Sequence, residues 1–138
     1  MGKLVDIEHK ILMQIPGEKG TIFKFLNSGS EDFEGFGELY FSSVNKSIIK
    51  GWNMHNKAVC KLLVTRGEIE FVVTADTSKR ETYKKVLLSE DQLSVLTIPN
   101  KYWFHFRGLR DKNILMNFSN IKHDPREAYK KEILKEHE

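Results

Sequence analysis

Short runs of apolar and β-branched residues alternate with polar turns over most of the chain. In residues 68–75, Ile69, Phe71 and Val73 fall on one face, and glutamates occupy much of the other. This period of two is typical of a strand with one buried face. Stretches of this kind recur at short intervals, which predicts many strands rather than alternating strands and helices. The predicted strands span residues 10–15, 21–26, 37–44, 48–54, 58–65, 68–75, 82–88, 94–99, 102–107 and 114–120.

The pattern predicts an all-β barrel or sandwich that occupies residues 1–138 as a single domain. A chain of 138 residues is long enough to bury one core. Only the tail, residues 125–138, has helical composition. Asp124 is suited to cap a helix there, Pro125 to its first position and Glu127 to its first turn. We therefore expect a short C-terminal helix after the last strand.

The predicted strand 58–65 is apolar on both faces. Cys60, Leu62 and Val64 lie on one side, and Val59 and Leu63 on the other. A strand buried on both faces in a small β protein needs cover outside the barrel. Pairing of two subunits is the expected cover.

Composition and charge exclude several classes of function. The formal net charge is only +3 and the basic residues are scattered, which argues against a nucleic-acid-binding protein. No apolar run approaches the roughly 18 residues of a membrane span. The N-terminus has no apolar segment typical of a signal peptide. The single cysteine, Cys60, excludes an internal disulfide. Its apolar neighbours favour a small buried hydrophobic residue, with a nucleophile as the alternative. We expect a cytoplasmic protein.

The segment 50–71 contains the strongest candidates for chemistry. Asn53 and His55 are two residues apart in a predicted strand, so their side chains share a face. Lys61 could face them from the next strand if the sheet closes into a barrel. In a dry interior, His55 could remove a proton next to a carbonyl while Lys61 stabilises the resulting oxyanion. A hydrogen-bonded core histidine and a lysine that extends to solvent remain the alternatives.

Tyr40 and His105 are two further candidates for chemistry. Tyr40 could act as an acid opposite the base, or it could be a packed aromatic with a bonded hydroxyl. His105 alternates with the aromatic residues of strand 102–107. Tyr102, Phe104 and Phe106 are the better lining for an interior, so we expect His105 to face away from it.

The ordered segments FGELYFSSVNKSIIKGWNMH, KLLVTRGEIEFVV, LSEDQLSVLTIPNKYWFHFRGL and NILMNFSNIKHDP resemble the dTDP-4-dehydrorhamnose 3,5-epimerase family of cupins. The chain looks most like a short branch with a Lys-Gly-Trp-x-x-His turn and a closing His-Asp-Pro. The resemblance covers roughly residues 37–125. It implies a jelly-roll barrel, a homodimer, and action on nucleotide-linked 4-keto-6-deoxy sugars without a metal.

The resemblance also assigns roles by position. Lys61 matches the family's lysine, which stabilises the enolate, and Lys50 stands where an arginine usually contacts the substrate. Asn53 occupies the place of the family's catalytic histidine, and Phe104 that of a second histidine. Strand 114–120 has no tyrosine to serve as the acid. Lys50, Asn53, Tyr102 and Phe104 are the candidate substrate-binding residues.

The dTDP-sugar 3,4-ketoisomerases resemble the chain in a different way. Their turn carries two histidines one residue apart, and His55 matches the second of these. A strand tyrosine also contributes in that group, and Tyr40 is its candidate equivalent. The set of His55, Lys61 and Tyr40 suits one proton-transfer site better than epimerisation at two carbons.

The pattern argues against a metal. Cupin metal sites use a His-x-His pair, a later carboxylate and a third histidine, whereas this chain has Asn53 and Lys61 at two of those places. A cationic ammonium group is not a metal ligand. We therefore predict no metal and no cofactor.

Three functional hypotheses remain. The first is a metal-free nucleotide-sugar epimerase or ketoisomerase that acts through an enolate in deoxysugar or cell-surface polysaccharide biosynthesis. The second is a cupin that has lost its acid and base and binds a sugar nucleotide or a partner protein. The third is a structural homodimer with a filled barrel. The expected partners are a nucleotide-linked sugar and a second copy of the chain, without nucleic acid or membrane.

Overall fold

A computed structural model describes residues 6–138 and consists mainly of antiparallel strands. The described part contains two short 3₁₀ turns, Arg80–Thr82 and Lys135–His137. None of its helical segments has the length and apolarity needed to cross a membrane. The strands are β1 (Glu8–Ile11), β2 (Met13–Gly17), β3 (Gly20–Lys24), β4 (Glu38–Ser43), β5 (Ile49–His55), β6 (Cys60–Arg66), β7 (Glu68–Thr74), β8 (Lys84–Ser89), β9 (Ser94–Ile98), β10 (Trp103–Gly108), β11 (Ile114–Ser119) and β12 (Ala128–Lys130).

Two five-stranded sheets pack face to face. The first sheet has the order β1-β9-β6-β11-β4, and the second has the order β12-β5-β10-β7-β8. Strands β2 and β3 form a separate hairpin. All the strand pairs are antiparallel and most neighbours are distant in sequence, as in a jelly roll. The predicted all-β jelly roll is confirmed.

The core lies between the two sheets. The inner strands contribute alternate side chains to it, because successive residues of a strand point to opposite faces. The first sheet contributes Cys60, Leu62, Val64, Leu96, Ile98 and Leu115, and the second contributes Ile69, Phe71, Val73, Val86, Leu88, Phe104 and Phe106.

All the predicted strands occur, but one of them is split into two strands, which the sequence did not indicate. The run 10–15 is not continuous, because β1 ends at Ile11 and β2 begins at Met13. Leu12 between them is buried, and its N–H donates to the carbonyl of Leu93. The chain turns there to bury one apolar side chain, and β2 then leaves the body of the protein.

The predicted C-terminal helix is wrong. Residues Ala128–Lys130 form β12, which pairs with the edge of β5, and the 3₁₀ turn Lys135–His137 is the only helical part of the described tail. The backbones of Trp52 and Lys131 exchange two hydrogen bonds beyond that pairing. Helix propensity is only a weak preference. The unpaired edge of β5 offers the backbone of the tail hydrogen bonds that compete with those of a helix.

The outer face of β6 is covered by the chain itself. Leu12, Leu63, Val95 and Met116 form a second apolar cluster there, and Phe25 packs against it. The inference that subunit pairing covers this strand is therefore wrong.

Candidate functional site

A cavity of about 220 Å³ lies between the sheets, at the end where β12 pairs with β5. One wall carries Tyr40 from β4 and Asn117 from β11. The opposite wall carries Asn53 and His55 from β5 and Phe104 from β10. Two strands of each sheet therefore line the cavity. Residues of the tail after position 122 line it as well.

His55 and Glu127 form a partly buried pair at the edge of the cavity. The distance from His55 Nδ1 to Glu127 Oε2 is 2.6 Å. Oε1 of the same carboxylate accepts hydrogen bonds from the backbone N–H groups of Lys57 and Ala58, at 2.9 and 2.8 Å. Because an ionised carboxylate only accepts hydrogen bonds, His55 carries its proton on Nδ1. In the neutral imidazole with this tautomer, Nε2 has the lone pair that a general base requires.

The carboxylate of Glu127 is held in its charged form. Burial would raise the pKa of the Glu127 carboxyl, but the hydrogen bonds from His55 and from the two backbone N–H groups outweigh it and lower the pKa. The sequence interpretation missed this residue and assigned it to the first turn of a helix. Glu127 is 72 positions from His55, so strand pattern alone gives no signal that the two meet.

Tyr40 shares the cavity with His55, as the acid–base hypothesis requires. It lies on the opposite sheet, directly across from Asn117 in the pairing of β4 with β11. The Tyr40 hydroxyl oxygen accepts a hydrogen bond from Asn117 Nδ2 at 3.0 Å. Tyr40 is 46% exposed, so it is not a packed core aromatic. Partial burial raises the pKa of its hydroxyl, which is therefore protonated at neutral pH.

Lys61 does not face His55, and the predicted convergence of these two side chains is wrong. Cys60 belongs to the core between the sheets, so alternation along β6 directs Lys61 to the outer face. Its Nζ donates to Asp32 Oδ2 at 2.6 Å and to Thr97 Oγ1 at 3.0 Å. Burial would raise the pKa of the Asp32 carboxyl, but the bond and charge of Lys61 lower it. Lys61 thus anchors the loop that carries Asp32.

The four predicted substrate-binding residues have different positions. Asn53 and Phe104 line the cavity, and the Phe104 ring stacks on His55 with 6.5 Å between ring centroids. Lys50 is exposed and donates to the carbonyl of Ser43 at 2.9 Å. Tyr102 is not among the residues that line this cavity. It packs against the core, and its hydroxyl lies 3.4 Å from Asp6 Oδ1.

Two other side chains are removed from the chemistry. His105 faces the outer side of the second sheet, as predicted, where its Nε2 donates to the carbonyl of His137 at 3.0 Å and its ring packs on Trp52. Cys60 is buried next to the cavity. Burial raises the pKa of its thiol to about 12, so the nucleophilic thiolate is not populated near neutral pH.

Two lysines lie at or beside the cavity. Lys130 lines it next to His123, and Lys122 lines a smaller adjoining pocket that also contains Glu38 and Glu127. Cationic side chains around an opening favour an anionic ligand. Among residues 6–138 no group of three histidine, cysteine or carboxylate side chains is arranged to hold a metal ion.

No protein-family model and no curated protein matches the chain. Solved structures do. A dTDP-sugar isomerase from Desulfovibrio desulfuricans superposes with a TM-score of 0.81 at 26% sequence identity, covering 96% of this chain and 88% of that one. The match is long in both proteins, so it concerns the whole jelly roll.

Two more distant structures share the fold. One is a variant of a 3,4-ketoisomerase from Thermoanaerobacterium thermosaccharolyticum in complex with TDP-4-keto-6-deoxyglucose, with a TM-score of 0.75, 16% identity and coverage of 91% and 88%. The other is a 3,5-epimerase from Legionella pneumophila in complex with dTDP-4-keto-L-rhamnose, with a TM-score of 0.77, 16% identity and coverage of 95% and 75%. The resemblance of the sequence to the cupin epimerases and isomerases of dTDP-sugars is confirmed by these structural neighbours.

Proposed function

We propose that the protein is a metal-free isomerase that epimerises or ketoisomerises a nucleotide-linked 4-keto sugar through an enolate. The observation that carries the proposal is the pairing of His55 Nδ1 with Glu127 at a cavity whose other wall holds Tyr40. The neutral tautomer that this pairing favours leaves Nε2 as the base. The similarity to dTDP-sugar isomerases and epimerases supports the reaction class. We assign the enzyme to deoxysugar or cell-surface polysaccharide biosynthesis, and the single unpaired Cys60 supports the cytoplasm as its compartment.

The reaction begins with transfer of a proton from a carbon next to the ketone to His55 Nε2. The electron pair of the broken C–H bond forms the enolate, and negative charge develops on the ketone oxygen. Glu127 stabilises the imidazolium that results, and the Tyr40 hydroxyl donates to the enolate oxygen. Epimerisation follows when a solvent proton that enters from the side of Tyr40 reaches the other face of the same carbon, while His55 releases its proton to solvent. In ketoisomerisation Tyr40 protonates the ketone oxygen and His55 delivers its proton to the former ketone carbon. The hydroxyl of the first carbon then gives its proton to the Tyr40 phenolate and becomes the new ketone.

Two groups of residues would recognise the substrate. Lys130 at the cavity and Lys122 in the adjoining pocket would pair with the diphosphate of a nucleotide sugar. Inside, Asn53 offers hydrogen bonds to sugar hydroxyls, and the Phe104 ring provides an apolar surface for the sugar.

The proposal is tested by proton exchange with solvent. The purified protein is incubated in deuterated water with dTDP-4-keto-6-deoxyglucose and with other nucleotide-linked 4-keto sugars, and the C3 and C5 protons are followed by NMR. We expect loss of one of these signals for at least one sugar at a rate proportional to enzyme concentration. If no carbon of any of these sugars exchanges at high enzyme concentration, the isomerase proposal is rejected.

A second candidate function is that of a binding module. This function is favoured by the position of Lys61. The lysine that was expected to stabilise the enolate lies outside the cavity and is paired with Asp32. A module of this kind would be stabilised by dTDP-glucose in a thermal melt, since a ligand of the native state raises Tm. It would nevertheless catalyse no exchange, and replacing His55 would change nothing but affinity.

We also propose that the protein forms a homodimer through the hairpin of β2 and β3. Every residue of these two strands is exposed, including Met13, Ile15, Ile22 and Phe23, and an isolated two-stranded hairpin is marginally stable in water. Two such hairpins from separate copies would bury their apolar side chains. In analytical ultracentrifugation we expect a dimer for the wild type and a monomer for Ile22→Glu. The control Lys19→Glu, in the same hairpin, remains dimeric, whereas a monomeric wild type at high concentration would contradict the proposal.

The reassignment of Lys61 makes a separate prediction. Lys61→Met is expected to lower the free energy of unfolding by about 1–2 kcal/mol, because Asp32 loses its partner but is partly exposed and can bind water instead. The value of kcat should stay the same, because Lys61 lies outside the cavity. Chemical denaturation and kinetic assays measure the two effects, with Lys46→Met as an exposed lysine control. A large loss of kcat in Lys61→Met but not in Lys46→Met would restore Lys61 to the catalytic site.

A further inference from the structure

Asn117 is a buried amide on the wall of the cavity, with apolar neighbours along its own sheet. It lies near the middle of β11, between Tyr40 on β4 and Leu62 on β6, and its neighbour on the same face is Leu115. Within the described part of the chain its Oδ1 is buried without a hydrogen-bond partner. An unpaired buried carbonyl costs free energy that an aliphatic side chain of similar size would not. Its hydrogen bond to Tyr40 is one thing that the amide provides and leucine could not.

The direction of that hydrogen bond decides what Tyr40 can do. Asn117 Nδ2 donates to the phenol oxygen at 3.0 Å. Because the oxygen is the acceptor in this contact, the hydroxyl hydrogen of Tyr40 is left free for another partner. Tyr40 lines the cavity, so a ligand there can receive it. An acceptor in place of Nδ2 would instead bind the hydroxyl hydrogen and withdraw it from the ligand.

We propose that Asn117 is a positioning residue for Tyr40, which orients the phenol for proton donation and stabilises the phenolate left behind. This inference rests on the proposed function, in which Tyr40 donates to the enolate oxygen. Burial raises the pKa of the Tyr40 hydroxyl, and the hydrogen bond from Asn117 acts against burial and lowers it. The amide thus offsets part of the desolvation that would otherwise weaken Tyr40 as an acid.

Two variants separate this role from simple packing. Asn117→Leu keeps the approximate volume and removes the donor, in a position where apolar neighbours favour folding. Asn117→Asp keeps the shape but replaces the donor by an acceptor with a negative charge. Both variants should raise the pKa of Tyr40, and Asn117→Asp should raise it more because of its charge. A packing role alone would not move this pKa.

The measurement uses protein labelled with 3-fluorotyrosine, whose phenols titrate at lower pH than tyrosine. The four tyrosines give ¹⁹F signals that can be assigned from Tyr→Phe variants, and Tyr83, Tyr102 and Tyr129 serve as internal controls. We expect the titration of Tyr40 to move to higher pH in Asn117→Leu while the other three stay in place. If Tyr40 titrates as in the wild type, the proposal is overturned.

The kinetic arm tests the consequence for the reaction. Misplacing the phenol should lower kcat by about tenfold to a hundredfold in both variants, with KM changed little. A kcat equal to that of the wild type in both variants would also overturn the proposal. The ¹⁹F titration does not depend on turnover. If no 4-keto sugar is a substrate, a shifted Tyr40 titration still supports the positioning bond, and only the proposed function fails.

Discussion

Replacing His55 by asparagine is expected to lower kcat by about 100-fold to 10,000-fold, the usual contribution of a general base. Asparagine fills a similar space but has no basic nitrogen to accept the proton. The Glu127 carboxylate could still accept a hydrogen bond from the new amide, so we expect the fold to survive. Proton exchange from the sugar into deuterated water, followed by NMR, measures the loss directly.

The control for this variant is His9→Asn. His9 lies on β1, outside the cavity, where its Nε2 is 2.9 Å from Ser94 Oγ, and its substitution should leave kcat unchanged. Both variants should still be stabilised by dTDP-glucose in a thermal melt. Wild-type exchange in His55→Asn would mean that another group removes the proton, and the assignment of the base would then be wrong.

Replacing Glu127 by alanine is expected to cost about 3 kcal/mol of unfolding free energy. The carboxylate accepts hydrogen bonds from His55 and from the backbone N–H groups of Lys57 and Ala58. Each buried donor that loses its partner costs about 1–3 kcal/mol, and water that enters the site recovers part of the sum. The value of kcat should also fall by about 100-fold, because His55 loses the group that fixes its tautomer and orientation. Urea denaturation and the exchange assay measure these effects.

The pH dependence of stability distinguishes the charge of Glu127 from its packing. The pKa of the Glu127 carboxyl is lowered by folding, so its ionised form contributes stability above the unfolded value of 4.5. That contribution is lost as the pH falls through the lower pKa of the folded state. The difference in stability between the wild type and the isosteric Glu127→Gln should therefore shrink in acid. A difference that stays constant from pH 7 to below pH 4 would show that the charge contributes nothing.

The strands were predictable because their signal is local. Alternation in residues 68–75 and the polar turns between apolar runs depend only on neighbouring positions, so the strand bounds agree to within two or three residues. The tail was not predictable in the same way. Residues 125–138 have helical composition, but β12 pairs with the exposed edge of β5, and only the folded sheet creates that edge. Tertiary pairing here outweighs local propensity.

The candidate site could be predicted only in part, for a reason of geometry. Alternation fixes which residues of a strand share a face, but it does not say which face points inward when both are apolar. In β6 the sequence places Lys61 on the side opposite Cys60, and the structure shows that Cys60 faces the core. His55 and Tyr40, which the sequence suggested as base and acid, both line the cavity, and their roles stay a prediction. The role of Glu127 was not predicted, because its partner His55 is far away in sequence.

The proposed mechanism depends on Glu127 holding His55 as the tautomer whose unprotonated Nε2 faces the ligand. The most direct test is a long-range ¹H–¹⁵N NMR spectrum of protein labelled at histidine, recorded at neutral pH with and without dTDP-glucose, a ligand that lacks the reactive ketone. We predict that His55 carries its proton on Nδ1, and that the Nε2 signal moves when the ligand binds. A proton on Nε2, or an Nε2 signal unaffected by saturating ligand, would contradict the account.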